Sequence, residues 1–366
     1  MSVFVLMAGG TGGHLFPAMA LAQELRRRGH VIHLMTDHRV QSYGDNFPAR
    51  EVHIVPSATP SVSNPLVFAR AAVKILWGTA VAWGKLRTIQ PDAVIGFGGY
   101  PVFPPFLAAR LAGIPGILHE QNAVMGRANR ALARYASRIA LSFARTQKAE
   151  PFAGKSVLTG NPVRDRVRDV AGSPYHPFSA DTPIRLVVFG GSQGARAFAD
   201  FMPPAIAELS PELRSRLRIV QQCRPEDLDR VADAYRQAHV NVELQPFFSD
   251  LPERMSSCHL VVARAGASTV AELTVLGRPA ILVPLPGSID GDQKNNALVV
   301  DAARGGWIVE QATISPPSLA NRLTSLFGDP AILTAAAAAA KSLGQPNAVE
   351  QLAGLAEAAA GKGKTT

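Results

Sequence analysis

Apolar residues along the chain fall in short runs, separated by glycine loops and longer amphipathic stretches. Val3-Phe4-Val5-Leu6-Met7 predicts a strand buried on both faces. A loop with four glycines follows, and an amphipathic helix from about Leu15 to Arg28. Further strands are expected at Val31–Met35, Glu51–Val55, Ala93–Ile95, Gly116–His119, Ile139–Ser142 and Lys155–Leu158. Helical patterns lie between them at Pro65–Gln90, Phe103–Ala112 and Arg127–Tyr135. This alternation predicts a parallel sheet with helices on both faces. Gly160–Asp181, with Pro162, Gly172, Pro174 and Pro177, reads as a linker. The pattern restarts at Ile184–Phe189, with later strands at Leu217–Gln221, Val240–Leu244, Leu260–Ala263 and Ala280–Val283. Two halves that each open with strand, glycine loop and helix predict an α/β protein of two facing Rossmann-like domains with parallel sheets. Ligands are then expected beyond the carboxyl ends of the strands, in an interdomain cleft. The alanine-rich stretch after Asp329 reads as helix and the tail Gly361–Thr366 as loose.

At 366 residues, 47% hydrophobic and 18% charged, the composition is that of a folded protein long enough for two domains. Cys223 and Cys258 are the two cysteines, which fits a reducing compartment and excludes a disulfide scaffold. The first apolar run is too short for a signal peptide, and no stretch is expected to approach the roughly 20 apolar residues that span a bilayer. These features predict a cytoplasmic protein. The net charge of +9 is unevenly placed: residues 1–165 carry 18 Lys+Arg against 8 Asp+Glu, and the remainder 19 against 20. The first half therefore expects an anionic partner.

The glycine loops carry the chemistry. In Gly9-Gly10-Thr11-Gly12-Gly13-His14 the main-chain N–H groups can approach a phosphate, and the following helix N-terminus adds partial positive charge. Four glycines exceed what one tight turn needs. The spacing misses the dinucleotide fingerprint because Leu15 stands at its last position, and no Lys-Ser/Thr pair follows as in a Walker loop. Gly98-Gly99-Tyr100 is a second such loop, and two loops converging on one site favour a diphosphate. His119-Glu120-Gln121-Asn122 reads either as site residues or as a hydrogen-bonded loop at a strand end. Arg164 can pair with a phosphate and Ser192, in Gly190–Ala195, can donate to one. Glu272 can accept two ribose hydroxyls or simply complement a helix dipole. The amides and carboxylates of Asp290–Asn296 suit sugar hydroxyls better than a metal, and no metal site is expected. Residues 65–87 combine Phe68, Ile75, Trp77 and Trp83 with Arg70, Lys74, Lys85 and Arg87 and hold no acidic residue. They read equally as a core-facing helix with snorkelling cations or as a membrane contact.

Taken in order, Gly9–His14 with Phe16-Pro17, Gly98–Tyr100, Leu118–Asn122, Gly160–Arg164 and Gly190–Ala195 resemble the MurG glycosyltransferase family over nearly the whole chain. The resemblance implies a GT-B fold: an N-terminal acceptor- and membrane-binding domain at 1–163, a donor domain at 164–341, and a C-terminal helix near 342–360 packing back on the first. It implies UDP-GlcNAc as donor and undecaprenyl-diphosphate-MurNAc-pentapeptide (lipid I) as acceptor, with no cofactor required. Thr11, Gly12, Gly13, Asn122, Arg164, Ser192, Ala267, Ser268, Thr269, Glu272, Gln293 and Asn296 are the implied donor contacts. Gly12, Gly13, His14, Gly98, Gly99 and Tyr100 meet the acceptor diphosphate, and His14 is the implied base. Phe68, Lys74, Ile75, Trp77, Trp83 and Lys85 form the implied membrane patch. A peripheral position on the cytoplasmic face of the bacterial inner membrane follows, with an anionic lipid surface and other wall-synthesis and division proteins as partners. Asp292 and Ala265 depart from the family's usual residues. Three rival readings are a UDP-GlcNAc 2-epimerase on the same fold, a non-catalytic lipid-diphosphate binder, and a nucleic-acid binder. The last lacks an aromatic-rich basic groove, so no nucleic acid is expected.

Overall fold

The computed structural model describes residues 1–39, 47–59, 65–191 and 195–362. They form two compact units, Met1–Arg164 with Pro346–Thr366, and Asp165–Gln345.

The first unit runs β1 (Val3–Met7), α1 (Gly12–Arg27), β2 (Val31–Thr36), β3 (Glu51–Ile54), α2 (Pro65–Ile89), β4 (Ala93–Gly96), α3 (Phe103–Leu111), β5 (Gly116–Glu120), α4 (Arg127–Leu132), β6 (Arg138–Leu141) and β7 (Ser156–Leu158). The second runs α5 (Asp165–Val170), β8 (Ile184–Phe189), α6 (Arg196–Ala207), α7 (Pro211–Arg216), β9 (Leu217–Gln222), α8 (Leu228–Gln237), β10 (Asn241–Gln245), α9 (Leu251–Ser257), β11 (Leu260–Ala263), α10 (Ala267–Leu276), β12 (Ala280–Leu282), α11 (Asp292–Ala302), β13 (Gly306–Ile308), α12 (Pro316–Gly328) and α13 (Pro330–Leu343). The last helix, α14 (Ala348–Lys362), belongs to the first unit.

Both sheets are parallel, with strand orders β3-β2-β1-β4-β5-β6-β7 and β10-β9-β8-β11-β12-β13. The order reverses beside β1 in one sheet and beside β8 in the other. Loops leaving the carboxyl ends of β1 and β4, and of β8 and β11, therefore diverge and leave a crevice at each switch point. The glycine loops sit at these ends because the apolar runs before them are central strands. Phe4, Val5, Leu6 and Met7 have no exposed surface, since helices cover both faces of β1.

Leu352, Ala353 and Ala356 of α14 pack with Phe4, Leu6, Leu21 and Leu25. Glu357 fastens the helix through Arg28 at 2.8 Å and His30 at 2.9 Å.

The structure corrects several expectations. α1 begins at Gly12, because Leu15 N already bonds the carbonyl of the N-cap Thr11 at 2.9 Å. The presumed linker contains α5, whose Arg166 pairs with Glu253 at 2.8 Å. The short edge strand β13 has only three residues, too few for a periodic signal. α14 extends through Lys362, and residues 363–366 of the presumed loose tail lie outside the described residues.

The expectation that nothing approaches bilayer-spanning length also fails: Leu66–Ile89 is a 24-residue helix apolar enough to cross a membrane. One face of it is committed to the fold. Ala82 and Leu86 join the core, and Gly78 lies so close to the Pro56 carbonyl that a Cβ there would stand 1.9 Å from the oxygen. The other face exposes Leu66, Phe68, Val73, Leu76 and Trp77.

Candidate active site

At the end of β1 the chain turns through Gly9 and Gly10 into α1. Gly10 is required by close approach, since a Cβ would stand 2.7 Å from Asp37 Oδ1. Thr11 is the N-cap of α1, yet its side chain caps nothing and no acidic residue stands in the first turn. Its hydroxyl lies 3.0 Å from His14 Nδ1 instead. The first turn of α1 thus supplies no anion of its own at the positive end of the helix, and the nearby Asp37 is paired with Arg39, which suits a phosphate site.

The β4 loop closes on the same imidazole. Gly98 and Gly99 have φ of +81° and +77°. A Cβ on Gly99 would stand 3.3 Å from His14 Cε1, and one on Gly98 3.5 Å from His14 Cδ2. His14 is therefore held between the two glycine loops. Burial, with Arg39 nearby, pushes its pKa down to about 4, so the ring is neutral at physiological pH. A base at Nε2 requires the tautomer in which Nδ1–H donates to Thr11 Oγ1.

Asp37, Arg39 and Tyr100 form a cluster beside these loops. Arg39 bonds Asp37 Oδ2 at 2.6 Å and lies 5.0 Å from the Tyr100 ring centre. Asp37 is thereby engaged and does not offer the ribose contact an acid after β2 can make.

The His119–Asn122 run is a hydrogen-bonded frame. His119 has no exposed surface, and its Nε2 lies 3.0 Å from the Gly160 carbonyl while Gln121 Nε2 lies 3.0 Å from its Nδ1. Burial lowers its pKa to about 4. The neutral ring then donates from Nε2 and accepts at Nδ1. Buried Glu120 accepts from Asn122 N (3.0 Å), Gly126 N (2.9 Å) and Asn129 Nδ2 (2.8 Å). Burial raises its pKa despite these donors. Half-buried Asn122 also reaches Glu120 with its amide at 3.3 Å. Asn129 joins this frame to the Gly98 loop, where a Cβ on Gly98 would meet its Nδ2 at 3.3 Å. Sequence reasoning missed Asn129 and Arg39, because a polar residue inside a short helix or after a strand carries no periodic signal. Arg164 lies over the Phe16 ring at 4.5 Å, which brings the Gly160–Arg164 segment to α1.

In the second unit, Gly190 N donates to Gln222 Oε1 at 3.0 Å and Gly191 has φ +89°. Ser192 lies outside the described residues. After β11, buried Arg264 donates to the carbonyls of Val283 and Pro284 at 3.2 Å and to Gln311 Oε1 at 2.6 Å, locking two loop ends together. α10 opens at Gly266 with no side-chain cap. Ala267 is buried, Ser268 and Thr269 half-buried, and Ser268 Oγ is enclosed without a hydrogen-bond partner among the described residues. Glu272 follows one turn later, buried. Gln293 Oε1 accepts from Leu285 N at 2.9 Å. Asn296 has no exposed surface in this structure and donates to Ala265 O at 3.1 Å, which ties α11 to the β11 loop. Asp292 Oδ1 accepts from Gln293 N at 2.7 Å within the first turn of α11.

On the implied membrane patch, Phe68, Lys74, Trp77 and Trp83 are exposed and Ile75 half-buried. Lys85 is drawn to the sheet edge, 3.4 Å from His53 Nδ1.

Desolvated imidazoles, His119 and His259 buried and His14 half-buried, make stability fall in acid. His14, His119 and His259 all have pKa values pushed to about 4, chiefly by burial. The unfolded chain takes up these protons near pH 6.5, the folded one only near 4. Stability is thus full above pH 6.5, falls between 6.5 and 4, and levels off below. His119 alone contributes about 3 kcal/mol to that loss at 1.36 kcal/mol per pKa unit. The urea midpoint should drop steadily from pH 7 to pH 5; a constant midpoint refutes the assignment.

Comparison with known proteins accords with this arrangement. Residues 4–141 match the glycosyltransferase family 28 N-terminal domain and 185–352 its C-terminal domain. The chain is 48% identical over 361 residues to the UDP-N-acetylglucosamine–N-acetylmuramyl-(pentapeptide) pyrophosphoryl-undecaprenol N-acetylglucosamine transferase of Rhizobium etli, covering 98% of this chain and 96% of that one. It is 52% identical over 354 residues to the enzyme of the same name from Methylobacterium nodulans, with 96% and 95% covered. The crystal structure of Acinetobacter baumannii MurG superposes with a TM-score of 0.78 at 32% identity, over 97% of this chain and 99% of that one. A Neisseria meningitidis UDP-GlcNAc 2-epimerase shares the fold at 15% identity and a TM-score of 0.67, over 96% and 98% of the two chains. With two parallel Rossmann-like halves, this chain is a GT-B glycosyltransferase belonging to family 28, among the MurG N-acetylglucosaminyltransferases.

Proposed function

We propose that the enzyme moves GlcNAc from UDP-GlcNAc to the MurNAc 4-hydroxyl of lipid I, forming lipid II. The observation that carries this reading is the 48–52% identity, over more than nine-tenths of both chains, with transferases named for that reaction. The acceptor oxygen attacks the anomeric carbon from the face opposite UDP. The new β-1,4 bond forms as the bond to the diphosphate oxygen breaks, and the hydroxyl proton passes to His14 Nε2. The acceptor diphosphate, lying near His14 on the open end of α1, raises the low pKa of that imidazole toward the working range. Arg164, the β8 loop with Ser192 and the N-terminus of α10 receive the charge developing on UDP, with Glu272 at the ribose and Gln293 at the sugar. No step calls for a cofactor or metal.

Radiolabelled UDP-GlcNAc incubated with a lipid I analogue should yield a labelled lipid. Epimerisation of UDP-GlcNAc without acceptor, and no transfer with it, would favour the epimerase reading instead.

The exposed face of α2 rests on an anionic leaflet, placing the enzyme peripherally on the cytoplasmic face of the inner membrane, within reach of other wall-synthesis and division proteins. Apolar Phe68, Val73, Leu76 and Trp77 alternate there with Arg70 and Lys74. Each cation contributes about 1 kcal/mol at such a surface, so Lys74→Glu should weaken binding to phosphatidylglycerol vesicles roughly tenfold or more. Equal sedimentation of the variant and the original protein would remove α2 from this role.

A further inference from the structure

We propose that His33, Glu51 and His53 form a binding site for a zinc-class divalent cation at the edge of the first sheet, apart from the glycosyl-transfer loops. The parallel pairing of β2 with β3 sets His33 beside Glu51, and the two-residue repeat puts His53 on the same face. That face looks toward α2, where Met35, Val55, Ala82 and Leu86 make the core. A ligand atom from each of the three residues lies within 4.8 Å of the others. The two rings stack 13° from parallel, with His33 Nδ1 and His53 Nε2 3.1 Å apart. Two nitrogens bound tetrahedrally to one zinc at roughly 2.0–2.1 Å stand about 3.3 Å apart, so a few tenths of an ångström of widening suffices. Both imidazoles are buried, while the Glu51 side chain is mostly exposed, with Oε1 3.4 Å from His53 Nδ1, and moves from there onto the ion. Two imidazoles and one carboxylate, with no thiolate, suit zinc and its borderline neighbours better than calcium or magnesium. Three protein ligands leave a fourth position for water.

The competing occupant is Lys85. Its ammonium lies 3.4 Å from His53 Nδ1, and in the metal-free state it donates there while His53 Nε2–H donates to His33 Nδ1. On metal binding this chain of bonds is replaced and Lys85 swings outward on its flexible stem. The ion fastens the edge strand β3 to β2 beneath α2.

The test is titration of the chelator-treated full-length protein with Co²⁺, followed by visible absorption and by displacement with Zn²⁺. One equivalent should saturate a tetrahedral cobalt spectrum, and zinc should raise the melting temperature. His53→Asn should abolish the spectrum. Glu51→Gln, at an exposed side chain that leaves the fold intact, should weaken affinity roughly tenfold or more. No saturable single-equivalent binding to the unaltered protein overturns the site, as does a spectrum and affinity unchanged in Glu51→Gln.

Discussion

His14→Ala is expected to cut turnover by roughly 10²–10⁴-fold, the usual contribution of a positioned general base, while the KM for UDP-GlcNAc stays nearly constant. Thr11 and the Gly98-Gly99 turn hold the His14 ring, whereas Glu272 and Gln293, proposed at the ribose and the sugar of the donor, belong to the second unit. Loss of an interaction made only as the acceptor hydroxyl gives up its proton lowers kcat and kcat/KM together. The unaltered enzyme adds a second signature. Because burial and Arg39 hold the free imidazole down to about 4, the acid limb of kcat/KM should lie well below pH 6.5. The base is then in its neutral form across the physiological range. Steady-state rates with a lipid I analogue measure both; normal turnover in His14→Ala removes the residue from the chemistry.

Glu120→Ala should destabilise the first unit by roughly 3–5 kcal/mol. The carboxylate is buried and is the acceptor for Asn122 N, Gly126 N and Asn129 Nδ2. Truncation leaves the buried Asn129 amide without an acceptor, at about 1–3 kcal/mol, and strips two half-buried N–H groups of theirs at a smaller cost each. Glu120→Gln should cost less, because one amide oxygen still accepts while its NH₂ faces existing donors. The denaturant midpoint should shift at unchanged m value. Activity should fall with it even under conditions where the variant stays folded, since Asn129 links Glu120 to the Gly98 loop that packs on His14. A midpoint within 1 kcal/mol of the original would show that water replaces the carboxylate at no great cost, and would demote this frame.

The strand–loop–helix rhythm was legible because central parallel strands are apolar throughout and glycine loops punctuate them. Val3–Met7 and Ile184–Phe189 were therefore found at their observed ends. The edges were harder to read. β13 has three residues, and α5 is a six-residue helix inside a proline-rich stretch, both too short for a periodic signal. α2 was ambiguous for a different reason: composition cannot say which face of an apolar helix is already used. Close approach at Gly78 and burial of Ala82 and Leu86 decide that one face belongs to the fold.

By itself the sequence determined the two-domain α/β architecture and the glycine loops at strand ends, because these depend on local hydrophobic pattern and chain order. Tertiary structure alone decided which polar residues stay available. It tied Asp37 to Arg39, turned Asn296 inward to Ala265, made His119 and Glu120 a frame, and brought His33 and His53 face to face across two strands. The physical reason is that a buried polar group must find its partner in space, and the order of the chain does not say which of its polar neighbours, near or far in sequence, the fold will bring to it.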